Sequence, residues 1–402
     1  MSKFENMKRI RINIGLLVSL CLLSQLAFSQ TFVPGNIYFD STNYVEYRAG
    51  NLPIIISAPH GGNLEPSSIP DRNCPSCITV QDAYTKPISE GIYDAFFEQT
   101  GCYPHVIINL LHRKKFDANR EIIEAANGNP TVETAWYGYQ AFIDSAKAQI
   151  VQDYDRGLFI EIHGHAHTIE RIELGYLLTS AELQLPDATI DSAAWANESS
   201  IRKLVADNIQ NLSHSELLRG PSSFGTLLVN KGFPTVPSSS DPFPQPGEPY
   251  FNGGYNTFQH GSRNNAGEID AIQFELNQEI RFDSLKRKKI IDSLTTSAIE
   301  YYNYHYNNQF QNNFCNLILS YPTIDFQRNQ LKLYPNPTYQ FFNLTSEWKE
   351  LEITITNCFD QVVATTNWSG EKIEIDFLSS GCYFIHLKNK NEVIGVLKLI
   401  KE

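Results

Sequence analysis

The sequence has fewer basic than acidic side chains, and it lacks the nucleophile motif of serine hydrolases. Lys and Arg number 32 against 44 Asp and Glu, which gives a formal net charge of −12. Because proteins hold polyanions through basic side chains, this balance argues against a nucleic-acid partner. The Gly-x-Ser-x-Gly elbow is absent, and the segment from Gly220 to Gly225 lacks its spacing. We therefore do not expect catalysis by a nucleophilic serine.

The N-terminal segment has the pattern of a signal peptide, and its apolar run is too short for a membrane anchor. Four basic residues precede a mostly apolar stretch from Ile14 to Leu23, and Ala27-Phe28-Ser29 has the small-x-small form of a cleavage site. A membrane-spanning helix needs roughly 20 apolar residues, so no transmembrane anchor is expected. We predict that residues 1–29 are removed, which takes away four basic and one acidic side chain and leaves a net charge of −15.

Cysteine is scarce, and export changes what the remaining cysteines indicate. Seven occur in 402 residues, and six follow the predicted signal peptide: Cys74, Cys77, Cys102, Cys315, Cys358 and Cys382. An oxidising compartment favours disulfides. Cys74 and Cys77 could form a redox pair, but no thioredoxin-like strand and helix frame them, so a structural disulfide is the preferred interpretation. Cys102 could compete for either of them.

Strand-like runs alternate with helical patterns between the signal peptide and about residue 310. This alternation predicts an α/β domain over residues 30–315, with a mixed, largely parallel sheet flanked by helices. The main strands are expected at Leu52 to Ala58, His105 to Leu111, Gly157 to Ile162 and Ile269 to Leu276. Apolar residues at helical spacing lie in 132–150 and 201–212. The Pro-, Ser- and Gly-rich stretch from Phe233 to Gly261 is expected to cover the substrate, although its aromatics could pack within the loop.

The composition changes after Tyr321, and a second unit follows a linker at residues 316–332. The segment LYPNP opens a series of short alternating strands, which predicts a small β-sandwich over residues 333–402. The YPNP opening, the segment SGCYF and the closing VLKLIK resemble the C-terminal sorting domain of type IX secretion cargo. The resemblance implies a partnership with the type IX secretion machinery and a secreted or cell-surface protein. An accessory carbohydrate-binding sandwich is the alternative.

Side chains that can bind a metal follow two of the predicted strands. His60 and Glu65 come after the first strand, where two glycines let the backbone bend, and His163 ends the third. Strand ends in such a sheet line a crevice where ligands bind. A hydrolytic zinc site uses three His or carboxylate ligands and leaves one position open. We therefore predict zinc on His60, Glu65 and His163, with His165 as the replacement if His163 is not a ligand.

Other polar residues are candidates for substrate and proton chemistry. Glu275 lies inside the apolar run AIQFEL, and a buried carboxylate is costly unless it is paired or near a metal. Arg120 offers a planar fork that suits a substrate carboxylate, although a salt bridge to a neighbouring acid is the alternative. The polar run that follows His163 holds more groups than one zinc ion uses. Arg171 and Glu173 in that run are therefore expected to orient ligands or contact the substrate.

Five segments resemble, in order, the N-formylglutamate amidohydrolase-like family: SAPHGGNLEP, LHRKKFDANRE, IEIHGHAHTIERIELGY, YFNGGYNTFQHGS and AIQFEL. They span Ser57 to Leu276, which is the whole predicted catalytic domain. The resemblance implies the zinc-carboxypeptidase type of α/β fold. Relatives of this family include poly-γ-glutamate hydrolases, whose His and Glu at the spacing of His60 and Glu65 bind zinc.

The resemblance also implies roles for the individual candidates. Glu275 would be the general base, Asn119 and Arg120 would bind a substrate carboxylate, and Arg113 would polarise the carbonyl. Glu275 would take a proton from zinc-activated water and later protonate the leaving amine. The expected function is zinc-dependent hydrolysis of an amide bond in an N-acyl amino acid or peptide that bears a carboxylate. A poly-γ-glutamate or cell-wall peptide hydrolase, or a non-catalytic binding or adhesion protein on the same fold, is the alternative.

Overall fold

The computed structural model divides the chain into two compact units, Met1–Asn313 and Phe314–Glu402. The residues that it describes are 32–75, 77–264, 267–307, 332–346, 348–357, 362–390 and 392–401. The predicted signal peptide and positions 316–331 of the predicted linker lie outside the described residues. In the part of the chain that is described, no helix has both the length and the apolar composition needed to span a membrane.

One sheet organises the first unit. Its strands are β1 (Ile37–Phe39), β2 (Val45–Arg48), β3 (Ile54–Ala58), β4 (His105–Asn109), β5 (Gly157–Gly164), β6 (Ile172–Gly175), β7 (Thr235–Val236) and β8 (Ile269–Leu276). They lie in the order β1-β2-β4-β3-β5-β8-β6-β7. The central strands β4, β3, β5 and β8 are mutually parallel, whereas β2 is antiparallel to β4 and β6 is antiparallel to β8. The expected mixed, largely parallel sheet is therefore confirmed.

Helices connect the strands and flank the sheet. They are α1 (Thr85–Thr100), α2 (Ile122–Ala126), α3 (Pro130–Tyr154), α4 (Ser180–Leu183), α5 (Asp187–Ile190), α6 (Ala193–Glu198), α7 (Arg202–Asp207), α8 (His214–Arg219), α9 (Phe224–Asn230), α10 (Tyr255–His260), α11 (Gln278–Phe282) and α12 (Ser284–Tyr302), with a π-helical turn at Asn303–Asn307. The stretch from Phe233 to Gly261 is not a loop throughout, because it contains β7 and α10.

The two segments with apolar residues at helical spacing, 132–150 and 201–212, fold differently. The first becomes α3, which begins at Pro130 because the Asn129 side chain accepts hydrogen bonds from the next free N–H groups. The second forms only α7. That helix ends because the Asn208 side chain binds backbone on both sides, donating to the Leu204 carbonyl and accepting from the Leu212 N–H. The Asn208 side chain competes for backbone hydrogen bonds and therefore ends the helix earlier than the apolar spacing predicts.

The central strands bring polar groups to one edge of the sheet. All residues of β3, β4 and β8, and all but the last of β5, are buried. Being parallel, β3, β5 and β8 have their carboxyl ends on the same side, where open α/β sheets bind ligands. His163 in β5 lies directly beside Glu275 in β8, and His60 follows β3 by two residues.

The second unit consists of two antiparallel sheets. Its strands are β9 (Lys332–Tyr334), β10 (Phe341–Thr345), β11 (Leu351–Asn357), β12 (Val362–Trp368), β13 (Ile373–Glu374), β14 (Gly381–Asn389) and β15 (Glu392–Lys401). Three of them form the sheet β13-β10-β9, and four form β12-β11-β14-β15. Alternate residues of β11, such as Ile353 and Ile355, enter one apolar core with Phe342 and Ile385. This arrangement agrees with the small β-sandwich expected from the strand pattern.

Candidate functional site

Three buried side chains converge beyond the carboxyl ends of β3 and β5. The Nδ1 atoms of His60 and His163 are 3.1 Å apart, and Asp82 Oδ2 lies 3.3 Å from the first and 3.2 Å from the second. Tetrahedral zinc bonds of about 2.0–2.1 Å hold neighbouring ligand atoms roughly 3.3 Å apart, so this spacing fits one zinc-sized ion. His60, Asp82 and His163 are 1%, 6% and 3% exposed. The structure therefore contains a group able to hold a metal ion.

The outer nitrogen of each histidine faces a buried carboxylate. His60 Nε2 is 2.5 Å from Asp117 Oδ1, and His163 Nε2 is 3.3 Å from Glu161 Oε2. Both carboxylates are fully buried. A carboxylate on one imidazole nitrogen holds the proton there and leaves the other nitrogen free for a metal. With a proton held on each Nε2, a cation can replace the protons that the two Nδ1 atoms share with Asp82, and both Nδ1 atoms then serve as ligands.

The structure does not bring Glu65 to the two histidines. Its side chain is 44% exposed and forms an ion pair with Lys114 at 2.6 Å. After His60 the chain continues beside the segment that follows β4, through bridges of Gly62 to His112 and of Leu64 to Leu111, which carries Glu65 away. The glycines at this turn therefore serve close backbone approach rather than a bend that returns Glu65 to the metal group.

Asp82, and not Glu65, is the carboxylate that lies beside the two histidines. Its backbone N–H donates to the His60 carbonyl, and its own carbonyl accepts from the Thr85 N–H and hydroxyl at the start of α1. These bonds fix the turn that directs the carboxylate at the histidines. No strand end and no short spacing to His60 marks this position, so sequence reasoning missed it. The one feature of the sequence that could have pointed to Asp82 is its position just before α1.

Arg113 connects the metal group to the carboxylates around it. Its guanidinium lies 3.3 Å from Asp82 Oδ1 and 3.1 Å from Asp117 Oδ2. Although burial acts to raise it, the pKa of Asp82 is held well below its ordinary value by hydrogen bonds from His163 and His60. Burial likewise opposes the rise in the pKa of His163 to about 10, which the Glu161 charge produces. The surrounding negative charge therefore favours a cation here.

Glu275 is the candidate base, and its surroundings are those of a perturbed carboxyl. It is 5% exposed, and its Oε1 accepts a hydrogen bond from the Gln273 side chain at 2.9 Å. Burial raises the pKa of Glu275 to about 8, against the opposing effect of the His163 charge. A carboxyl with a raised pKa in a cavity is a typical acid–base group. The strand-embedded acid that the sequence singled out therefore faces the same cavity as the metal group.

The cavity has a volume of about 390 Å³, within the usual size range of small-molecule sites. Its walls include these predicted or newly found site residues: His60, Asp82, Arg113, Asn119, Arg120, His163, His165 and Glu275. Asn119 lies beside the metal group, with its Nδ2 3.3 Å from His163 Nε2. Arg120 reaches the cavity wall while pairing with Glu124 at 3.2 Å, which is the kind of salt bridge weighed as its alternative role.

Arg171 and Glu173 do not line this cavity. Both instead hold the segment 237–254, which lies within the stretch Phe233 to Gly261 that the sequence suggested as a cover for the substrate. Arg171 pairs with Asp241 and Glu248, each at 2.9 Å, and Glu173 accepts the Phe251 N–H at 2.8 Å. Phe251 and the glycines after it form part of the cavity wall. In the structure, Arg171 and Glu173 therefore anchor a segment of the cavity wall.

Replacing Arg171 with Met is expected to loosen this segment, because Asp241 and Glu248 both lose their cationic partner. Chymotrypsin should then cleave near Phe243, Tyr250 or Phe251 about tenfold faster, corresponding to about 1.4 kcal/mol of local opening. Mass spectrometry of timed digests would locate and time the cuts. Arg263→Met, which breaks one exposed ion pair to Glu198, is the control. Equal cleavage rates in the two variants would show that Arg171 does not tether the segment.

Three of the described cysteines are in disulfides. Cys74 and Cys77 form a disulfide with each other. Cys102 is in a disulfide as well, so it does not compete for either of them. Arg72 lies at the centre of this region, since its guanidinium donates to Cys77 Sγ, to the Ile78 carbonyl and to the Arg113 carbonyl. The bridged loop is therefore connected to the residues that surround the metal group.

Comparison with known proteins gives a family match for the C-terminal unit. Residues 332–402 match the family model described as the secretion system C-terminal sorting domain. The match confirms the resemblance of the tail to a sorting domain, which implies interaction with the secretion machinery and a secreted or cell-surface protein. No curated protein matches the chain.

Two solved structures are each similar to about two thirds of this chain. N-formylglutamate amidohydrolase from Ralstonia eutropha JMP134 has 12% identity and a TM-score of 0.38, with 67% of this chain and 98% of that chain covered. Succinylglutamate desuccinylase from Chromobacterium violaceum has 11% identity and a TM-score of 0.31, with 69% and 74% covered. The first of these structures bears the name of the family that the sequence segments resemble.

Proposed function

We propose that this protein is an exported, zinc-dependent hydrolase that cleaves an amide bond in an N-acyl amino acid or peptide bearing a carboxylate. The observation that carries the proposal is the buried group of two imidazole nitrogens and one carboxylate oxygen, 3.1–3.3 Å apart, at a cavity shared with Glu275. Three protein ligands with a cavity beside them are typical of catalytic rather than structural zinc sites.

The proposed ligands are His60, Asp82 and His163. When bound, zinc supplies Lewis acidity, lowering the pKa of water toward about 7 and polarising an amide carbonyl. Asp117 and Glu161 hold the two imidazoles in the required orientation, and Arg113 holds Asp82. These outer partners matter because they fix the donor atoms before a metal arrives.

Glu275 is the proposed general base. It accepts a proton from water while the water oxygen bonds to the carbonyl carbon. Its burial keeps competing solvent away, and its place beside His163 brings it to the metal group. Arg120 and Asn119 are proposed to bind the substrate carboxylate and so to orient the scissile amide. Arg113 already contacts two carboxylates, so we assign it to the positioning of Asp82 rather than to the carbonyl.

A substrate panel tests this proposal. The mature protein, loaded with zinc, would be assayed on N-acyl amino acids and on α- and γ-linked glutamyl peptides, with product amines measured. Hydrolysis of at least one class is expected, with loss of activity on chelation and recovery on adding zinc back. A zinc-loaded protein that cleaves no member of the panel, or one whose cleavage is unaffected by chelation, would contradict the proposal.

A further inference from the structure

A second cluster of His165, His167 and Glu173 lies next to the metal group. It does not suit a second metal ion, because both nitrogens of His165 are engaged. Nε2 pairs with the Arg171 carbonyl at 2.8 Å, and Nδ1 accepts the His167 N–H at 3.1 Å. Burial also lowers the pKa of His165, which keeps its ring neutral in this arrangement. The cluster is therefore left with one imidazole and one carboxylate.

His167 and Glu173 form a tightly held pair. His167 Nδ1 is 2.8 Å from Glu173 Oε1, while the other carboxylate oxygen accepts the Phe251 N–H. Glu173 is fully buried, whereas the His167 side chain is 20% exposed. The imidazole also stacks on the Phe251 ring, with centroids 4.7 Å apart and planes 23° apart. A buried carboxylate that fixes one nitrogen of a partly exposed imidazole is the arrangement that orients acid–base histidines.

His167 differs from the other histidines of the cavity. His60 and His163 direct Nδ1 at each other and at Asp82, with Nε2 on a carboxylate or amide, and His165 has both nitrogens bonded. For His167, by contrast, no hydrogen bond involves Nε2 within the described part of the chain. Since His167 lines the same cavity as Glu275, this nitrogen is the imidazole atom available to a bound substrate.

We propose that His167, oriented by Glu173, is the catalytic acid that protonates the leaving nitrogen, an inference that rests on the proposed amide hydrolysis. Glu275 then acts on water, and a different residue acts on the departing amine. This assignment differs from the expectation that Glu275 performs both transfers. Glu173 is a positioning residue, because it acts through His167 and does not line the cavity.

The proton balance of the step is simple. As the C–N bond breaks, its electron pair stays on nitrogen, and this nitrogen takes the proton from His167 Nε2. The neutral imidazole regains a proton from solvent, and the proton that Glu275 took from water returns to solvent. One water is consumed for each amide cleaved. The charged groups around the His167–Glu173 pair are Glu275, which is the cross-strand neighbour of Glu173, and Arg171, which is occupied by Asp241 and Glu248.

A matched pair of substrates tests the role of His167. The best amide from the panel would be compared with its thioester analogue, in which sulfur replaces the leaving nitrogen and departs as a thiolate without needing a proton. His167→Gln is expected to lower kcat on the amide by about 100-fold but on the thioester by less than about threefold. His112→Gln, at a histidine outside the cavity, should change neither rate. Zinc content should equal that of the wild type in both variants.

Nuclear magnetic resonance tests the contact between His167 and Glu173 without any measurement of turnover. In protein with nitrogen-15-labelled histidine, Glu173→Gln should change the chemical shift of His167 Nδ1, since its hydrogen bond to a carboxylate becomes one to a neutral amide. An unchanged Nδ1 chemical shift would overturn the pairing. Equal losses on amide and thioester in His167→Gln would overturn the acid role while leaving amide hydrolysis intact. A wild-type protein that cleaves no amide would overturn the proposed function and the inference with it.

Discussion

Glu275→Gln is expected to lower hydrolysis of the best amide substrate by about 10²–10⁴-fold, because glutamine cannot accept the proton of the attacking water. The substitution keeps the size of the side chain and its contact with Gln273. Steady-state kinetics on zinc-loaded protein would measure the loss. Zinc content is expected to stay at the wild-type level, because Glu275 is not among the proposed ligands.

The matched control for this change is Glu268→Gln. Glu268 immediately precedes β8, the strand that carries Glu275, and its carboxylate pairs with Lys203 at 2.9 Å on the surface. The same chemical change at that opposite end of the strand should leave kcat and KM unaltered. If Glu275→Gln retained the wild-type rate, Glu275 would not be the base and the proton would have to be accepted elsewhere in the cavity.

Asp82→Asn is expected to lower zinc affinity by more than about 100-fold, since even the residues behind metal ligands cost about 10–100-fold when changed. The variant loses the only carboxylate among the proposed ligands. Zinc content after dialysis, followed by titration against a competing chelator, would measure the effect. Far-ultraviolet circular dichroism would establish that the variant is folded.

Glu65→Gln is the decisive comparison for Asp82→Asn. The spacing of Glu65 from His60 had suggested it as a ligand, but the structure pairs it with Lys114 at the surface. An exposed ion pair contributes little, so Glu65→Gln should bind zinc like the wild type and hydrolyse the substrate at the same rate. Loss of zinc in Glu65→Gln with retention in Asp82→Asn would reverse the ligand assignment.

The features that could be predicted from the sequence depend on local patterns. The buried parallel strands are continuous apolar runs, so β3, β5 and β8 could be placed within a few residues. His163 and Glu275 lie within those strands, and His60 lies just beyond one, so their positions in the sheet follow directly. The tail was recognisable because its motifs stand at fixed places near both ends of one small unit.

Local patterns could not predict that Asp82 lies beside the histidines or that Glu65 lies at the surface. Asp82 reaches the histidines through a turn that is closed by bonds to His60 and Thr85, contacts that no spacing rule contains. Glu65 has a suggestive spacing, but the chain after His60 runs beside the segment following β4 and places it at the surface. In the sequence, Arg171 and Glu173 looked free to contact a substrate. Segment 237–254, far along the chain, instead pairs with Arg171 and with one carboxylate oxygen of Glu173, while His167 contacts the other oxygen. Long-range partners thus decide the roles of polar residues that local patterns can only nominate.

The central claim is that His60, Asp82 and His163 together hold the metal ion on which hydrolysis depends. Anomalous diffraction from crystals of the zinc-loaded protein, recorded on both sides of the zinc absorption edge, tests it most directly. We expect an anomalous peak bounded by Nδ1 of His60, Nδ1 of His163 and the Asp82 carboxylate, at ligand distances of about 2.0–2.2 Å. A zinc peak on Glu65 or on the His167–Glu173 pair, with none at the three proposed ligands, would contradict it.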